Sequence, residues 1–204
     1  ERVSPQEGGD LFLTIDRYIQ RLAENELDQA MKKHQASGGA IIVMDPKTGA
    51  ILAMASRPSF DLTQLDLGDA SQLERMRNRA ISDLYEPGST FKIITMASAL
   101  DEGKLTPQTT FFDKGYVVKY GWTITNWDGR GNGLVDMTEV LKYSINVGAV
   151  WVSDQVGPEA FYKYVKAFGF SQATSVDLHG EAPGQFRSPL DKDWSPVDLA
   201  TNSF

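Results

Sequence analysis

The chain has 204 residues, 41% of them hydrophobic, with no cysteine and a formal net charge of −7. That length and apolar share suit one domain, or two small ones, and exclude wholesale disorder. The balance of 27 acidic against 20 basic residues argues against a general nucleic-acid binder, and zero cysteine removes disulfides, thiol nucleophiles and cysteine zinc sites.

Residues 1–10 are polar and Gly-rich and read as a linker or cut end, without the charged and apolar segments of a signal peptide. The longest apolar runs, Ile41 to Met44 and Ala50 to Ala55, are far below the roughly 18 residues of a membrane span. Ile15, Ile19, Leu22, Ala23, Leu27, Ala30 and Met31 recur at helical spacing. Thr14 or Asp16 can cap this helix, and Gly38-Gly39 is expected to stop it.

Two strand-like runs follow, Ala40 to Asp45 and Ala50 to Ser56, joined by the turn residues Pro46-Lys47-Thr48-Gly49. Both are apolar at nearly every position, which predicts a hairpin buried on both faces. Residues 57–88 read as loop. A helix is predicted from about Ser89 to Leu100, ending near Gly103. Val117 to Tyr120 and Trp122 to Thr125 suit a pair of short strands. Thr138-Glu139 opens another helix, a break falls at Ser144 to Asn146, and Val147 to Val156 continues as helix. Pro158 starts a further helix that Gly169 closes, and the remainder reads mostly as loop.

The chemistry-bearing segment is Tyr85 to Lys92. Ser89 and Lys92 are three apart, so a helix places them on one face within reach. The positive end of the helix dipole and partial burial disfavour an ammonium at Lys92, and a neutral amine can take the proton of a serine nucleophile. The first-turn N–H groups can face an oxyanion. The same four positions also fit a capping serine beside a solvated lysine. Ser144-Ile145-Asn146 puts a hydroxyl and an amide two residues apart in a turn, an arrangement equally open to a local cap. Lys47-Thr48-Gly49 matches the K-T-G that accompanies S-x-x-K sites, but it precedes Ser89 and reads as hairpin turn. His34 and His179 have no ligand-spaced partners, so no metal site and no Ser-His-Asp triad are read. Arg75, Arg77 and Arg79 read as a solvated loop, with an anionic glycan or a partner as the alternative. Trp122 and Trp127 read as a packing surface, with a substrate groove as the alternative.

Taken together, these residues resemble the transpeptidase domain of penicillin-binding proteins, serine acyltransferases that cross-link peptidoglycan. Asp45 to Pro58 resembles the family's opening hairpin, and Arg79-Ala80 with Tyr85 to Lys92 the approach to its nucleophile. Ser144 to Gly148, Phe168 to Phe170 and Gly180-Glu181 fall in family order. The Tyr-Glu-Pro-Gly-Ser-Thr-Phe-Lys form is similar to the class B, monofunctional members. The resemblance spans the chain after residue 10. It implies an α+β fold of the penicillin-binding/β-lactamase-like kind, an antiparallel sheet flanked by helices. A transpeptidase domain is expected over residues 11–204, incomplete at the C-terminal side, before the third motif strand with its Lys-Thr/Ser-Gly.

By the same resemblance, Ser89 would attack a D-Ala-D-Ala stem peptide and become acylated, and Lys92 would take its proton. Ser144 would relay a proton to the leaving group, and Asn146 would bind the substrate amide and help hold Lys92. No cofactor or metal is implied. β-Lactams would acylate Ser89, cell-wall synthesis proteins would be partners, and the site would lie outside the cytoplasm, on a membrane-anchored parent. With one oxyanion donor missing, the 204-residue piece alone is expected to be weak or inactive. The alternatives are a class D-like β-lactamase or β-lactam receptor, and a non-catalytic cell-wall binding module.

Overall fold

A computed structural model describes residues 8–66 and 68–204. The linker expected at residues 1–10 lies mostly outside the described residues; residues 8–10 are exposed and irregular. The chain forms two compact units. One runs to Asp83 and takes in His179–Ala182; the other holds Leu84–Leu178 and Pro183–Phe204.

In the first unit, helix α1 spans Arg17–His34. The Asp16 carboxylate caps it by accepting the N–H groups of Tyr18 and Ile19, both at 2.9 Å. Ile19, Ala23, Leu27 and Met31, each four apart, form the stripe that packs on Ala53, Ala55, Ile41 and Val43. The helix ends before the expected Gly38-Gly39. Gln35 takes the left-handed cap position at φ 52° and donates its N–H to the Met31 carbonyl, so no glycine is needed there.

Strands β1 (Gly39–Met44) and β2 (Ile51–Arg57) form the antiparallel hairpin. Asp45 organises its turn, accepting the Lys47 N–H at 3.0 Å and the Thr48 hydroxyl at 2.7 Å, and Gly49 supplies φ 75°. Lys47-Thr48-Gly49 is therefore turn, as its sequence context indicates. The hairpin is not buried on both faces. Helix α1 covers the side of Ile41 and Val43, while Ile42 and Met44 point the other way and are exposed.

The stretch read as loop between 57 and 88 also holds helices α2 (Ala70–Met76) and α3 (Arg79–Ser82) and a 3-10 turn at Leu62–Gln64. Asp69, Asn78 and Asp61 cap them in turn through their side chains. Arg77 and Arg79 are not merely solvated. Arg79 pairs with Glu74 at 2.9 Å and Asp83 at 3.0 Å, and Arg77 also pairs with Asp83.

Two helices, α4 (Lys92–Asp101) and α6 (Asn146–Val156), form the centre of the second unit. Helix α6 is apolar on nearly every side and is enclosed on nearly every side. Before it lies α5 (Met137–Lys142), opened by a capping box between Asp136 and Glu139. The two helices approach so closely that a Cβ on Gly148 would lie 2.8 Å from both γ-carbons of Val140. Helix α7 (Pro158–Ala167) packs on α4, and its Phe161 is fully enclosed. Helix α8 (Pro196–Thr201), unexpected from its proline-rich surroundings, is opened by a Ser195–Asp198 capping box and packs on α6.

Two further hairpin-like pairs flank these helices. Strand β3 (Thr110–Asp113) pairs antiparallel with β6 (Gly133–Asp136), and β4 (Tyr116–Lys119) with β5 (Trp122–Thr125). Tyr120 at φ 49° and Gly121 at φ 85° make the tight β4–β5 turn. The expected β4–β5 pair is present; β3–β6 is additional. With every pairing antiparallel and helices packed alongside, the architecture is α+β. Among the described residues, no helix is long and apolar enough to cross a membrane.

Candidate active site

Ser89 lies on a 3-10 turn, Gly88–Phe91, that runs directly into α4. Gly88 at φ 59° bends the chain into this turn, and the Thr90 hydroxyl ties it down through the Pro87 carbonyl at 2.8 Å. Phe91 plunges into the core. Its ring lies 5.0 Å from Phe170 and 6.2 Å from Phe161, centroid to centroid. This anchor leaves Ser89 exposed on one side and sends Lys92 inward, where only 2% of it is exposed.

The second segment arrives 52 residues later, between α5 and α6. Ser144 takes a left-handed backbone at φ 54°, a conformation that costs a non-glycine residue on the order of 1 kcal/mol. The bend presents both its carbonyl and its hydroxyl to Lys92. Asn146 begins α6, and its Nδ2 donates to the Thr125 carbonyl at 3.0 Å, which turns its Oδ1 toward Lys92.

Lys92 Nζ thus meets four oxygens: the Ser144 carbonyl at 2.7 Å, Asn146 Oδ1 at 2.6 Å, Ser144 Oγ at 2.9 Å and Ser89 Oγ at 3.1 Å. Their chemistry decides what the amine can do. The first two oxygens only accept, so they consume two N–H groups. A neutral amine has no third, and its lone pair is left facing the two hydroxyls. It can then receive a proton from Ser89 or exchange one with Ser144. Burial supports this state by pushing the Lys92 pKa down to about 8. About a tenth of the amine is then neutral at pH 7. The Phe204 ring, 5.7 Å from Nζ, borders the group on another side.

The four residues singled out in the sequence, Ser89, Lys92, Ser144 and Asn146, are therefore one cluster. Trp122 and Trp127 form no packing surface: they are 68% and 82% exposed. Trp127 instead borders a pocket of about 180 Å³ with Asn126, Asp128, Asn132, Tyr143 and Ile145, beside the Ser144–Asn146 turn. A cavity of about 640 Å³ lies between α4 and α7, bordered by Leu100, Asp101 and Tyr164, and includes none of the four residues. Among the described residues, no group of three or more His, Asp or Glu is placed to hold a metal ion. Sequence reasoning missed Thr125, Phe204 and a buried carboxylate, Asp113. The dense Asn, Asp and Gly of residues 126–133 was the available sign of a polar cage.

The family profile described as the penicillin-binding protein transpeptidase domain matches residues 39–203. The chain belongs to that family. Stage V sporulation protein D of Bacillus subtilis is 41% identical over 201 residues, which cover 98% of this chain and 30% of that protein. The probable peptidoglycan D,D-transpeptidase PenA of Neisseria flavescens is 36% identical over 200 residues, covering 98% of this chain and 48% of that protein. The solved TP domain of Burkholderia pseudomallei penicillin-binding protein 3 matches with a TM-score of 0.80 at 31% identity, covering 94% of this chain and 51% of that one. The chain thus spans less than half the length of these two curated relatives. Its α+β fold is that of penicillin-binding protein transpeptidase domains.

Proposed function

We propose that the protein carrying this chain is a serine D,D-transpeptidase that cross-links peptidoglycan stem peptides. The supporting observation is the buried Lys92 amine, held by two acceptor-only oxygens and placed 3.1 Å from Ser89 Oγ and 2.9 Å from Ser144 Oγ. Ser89 Oγ attacks the carbonyl of a D-Ala-D-Ala bond, and Lys92 takes its proton. The C–N bond breaks as Ser144, in contact with Lys92, passes a proton to the departing D-Ala nitrogen. The remaining acyl group sits on Ser89 as an ester. The amine of a neighbouring stem peptide then attacks the ester, forming the cross-link and returning a proton to Ser89. Asn146 orients Lys92 and hydrogen-bonds the substrate amide, and the Ser89 N–H is one oxyanion donor. A β-lactam follows the first half of this course, its ring amide opening onto Ser89. No cofactor takes part, and peptidoglycan places the reaction outside the cytoplasm, where cell-wall synthesis proteins are the partners.

Two readouts test this reading. Mixing the whole protein with a chromogenic β-lactam should give one equivalent of fast ring opening and then slow turnover. Sustained rapid hydrolysis would instead make the protein a β-lactamase. The acylation rate should also rise with pH through an apparent pKa near 8, because Lys92 acts in its neutral form, which gains population as pH increases. A rate independent of pH between about 6 and 10, two units either side of that value, would remove Lys92 from the role of base.

A further inference from the structure

Asp113 ends strand β3 and is only 1% exposed. Its four hydrogen-bond donors are all uncharged amides. Oδ1 accepts the Gly115 N–H at 2.9 Å, while Oδ2 accepts Asn126 Nδ2 at 2.8 Å, Asn132 N–H at 3.0 Å and Asn132 Nδ2 at 2.7 Å. Burial pushes its pKa up, but the bonds from Asn132, Gly115 and Asn126 outweigh burial and hold it below the usual carboxylate range. The site is built for this anion. A Cβ on Gly115 would lie 2.6 Å from the Gly131 nitrogen, so the strand end and the following loop touch only because both residues are glycine. Burial alone would penalise this charge, and the four donors more than offset that penalty.

What it fixes lies one step further on. Asn126 spends its Nδ2 on Asp113 and on the Arg130 carbonyl at 2.8 Å. That leaves its Oδ1 to accept the Val147 N–H at 3.2 Å, a first-turn donor of α6. The preceding residue, Thr125, accepts Asn146 Nδ2 through its carbonyl. Two consecutive residues at the end of β5 therefore clamp two consecutive residues at the start of α6. The same clamp sets which face of the Asn146 amide meets Lys92.

We propose that Asp113 is a positioning residue for Lys92: by fixing Asn126 it sets the Thr125–Asn126 clamp on Asn146 and Val147, and with it the oxygen that orients the Lys92 amine. The proposal rests on the acylation chemistry above. It assigns the geometry of the site to a carboxylate whose own hydrogen bonds come from Gly115, Asn126 and Asn132 and from none of Ser89, Lys92, Ser144 or Asn146. Asp113→Asn keeps only one acceptor oxygen: turned to the three donors from Asn126 and Asn132, it leaves its NH₂ group against the Gly115 N–H, so the cage loses a bond and gains a donor–donor clash at nearly constant volume.

The test uses stopped-flow acylation of the whole protein by a fluorescent penicillin, with the initial binding constant separated from the acylation step. Asp113→Asn should slow the acylation step by about 10- to 100-fold and leave initial binding within about threefold, because the reacting groups are displaced while the cleft remains. In an Asn146→Ala background it should cost less than about threefold more, because the residue it acts through is already gone. Asn126→Ala should show the same non-additivity, and it carries the test if Asp113→Asn does not fold; melting curves fix the folded fraction before rates are compared. Acylation within about twofold of wild type, or losses that multiply with that of Asn146→Ala, would overturn the proposal. Wild type and Ser89→Ala run alongside. Wild type without a Ser89 adduct sinks the acylation reading itself, whereas a normal wild type with unaffected variants sinks only the positioning role.

Discussion

Replacing Lys92 by methionine is expected to slow acylation by a β-lactam by about 10³-fold or more while leaving the protein folded. Loss of the base accounts for the rate. The stability expectation follows from the balance at the buried amine. The Lys92 pKa is lowered from 10.5 to about 8 by burial, so the folded state disfavours the ammonium. Between about pH 8 and 10 the unfolded chain binds more protons than the folded one, and stability rises with pH across that window; below about 8 the full penalty applies. At pH 7 the penalty is about 3 kcal/mol, and methionine removes it. Methionine also leaves the Ser144 carbonyl and Asn146 Oδ1 without their donor, at about 1–3 kcal/mol each. The two effects oppose each other, so stability at pH 7 should change by about 3 kcal/mol at most, and the thermal midpoint by about ten degrees or less. Rapid acylation of Lys92→Met would remove Lys92 from the mechanism. Unfolding of that variant would make the lysine structural.

Phe161→Ala is expected to cost about 3–5 kcal/mol, enough to threaten the fold. The ring is fully enclosed and meets Phe91 at 6.2 Å and Tyr162 edge-on at 5.2 Å. Phe91 is the anchor between Ser89 and Lys92, so the cavity opens directly beneath the nucleophile turn. The surviving folded fraction should acylate about tenfold or more slowly. Phe161→Leu, which keeps most of the bulk, should recover much of both losses. Denaturant melts paired with active-site titration measure the two effects separately. A destabilised Phe161→Ala whose folded fraction acylates at the wild-type rate would show that the turn holds its geometry without Phe91's support.

The cluster of Ser89, Lys92, Ser144 and Asn146 was legible because its parts are local. Ser89 and Lys92 are one helical turn apart, and Ser144 and Asn146 share one bend. Their convergence across 52 residues is tertiary and entered only through family resemblance. Helix α1 could be read from its stripe, but its end could not, since Gln35 adopted a cap conformation usually left to glycine. The hairpin's apolar runs suggested burial on both faces. Composition cannot say that Ile42 and Met44 stay exposed while Ile41 and Val43 are covered. Strands β3 and β6 are four residues each, with the nineteen residues 114–132 between them, so neither gave a period long enough to read. Asp113 itself looked like any strand-end acid. Its importance comes from four donors assembled by two glycines and two asparagines.

If Lys92 and its neighbours make Ser89 a nucleophile, the acyl group must be found on Ser89 Oγ. The whole protein is treated with benzylpenicillin, and intact mass and peptide mapping are recorded. Because the ring opens without losing atoms, the expected result is one adduct carrying the full mass of the β-lactam, mapped to Ser89 and absent from Ser89→Ala. An adduct on another residue, or one that persists in Ser89→Ala, would show that Ser89 is not the nucleophile.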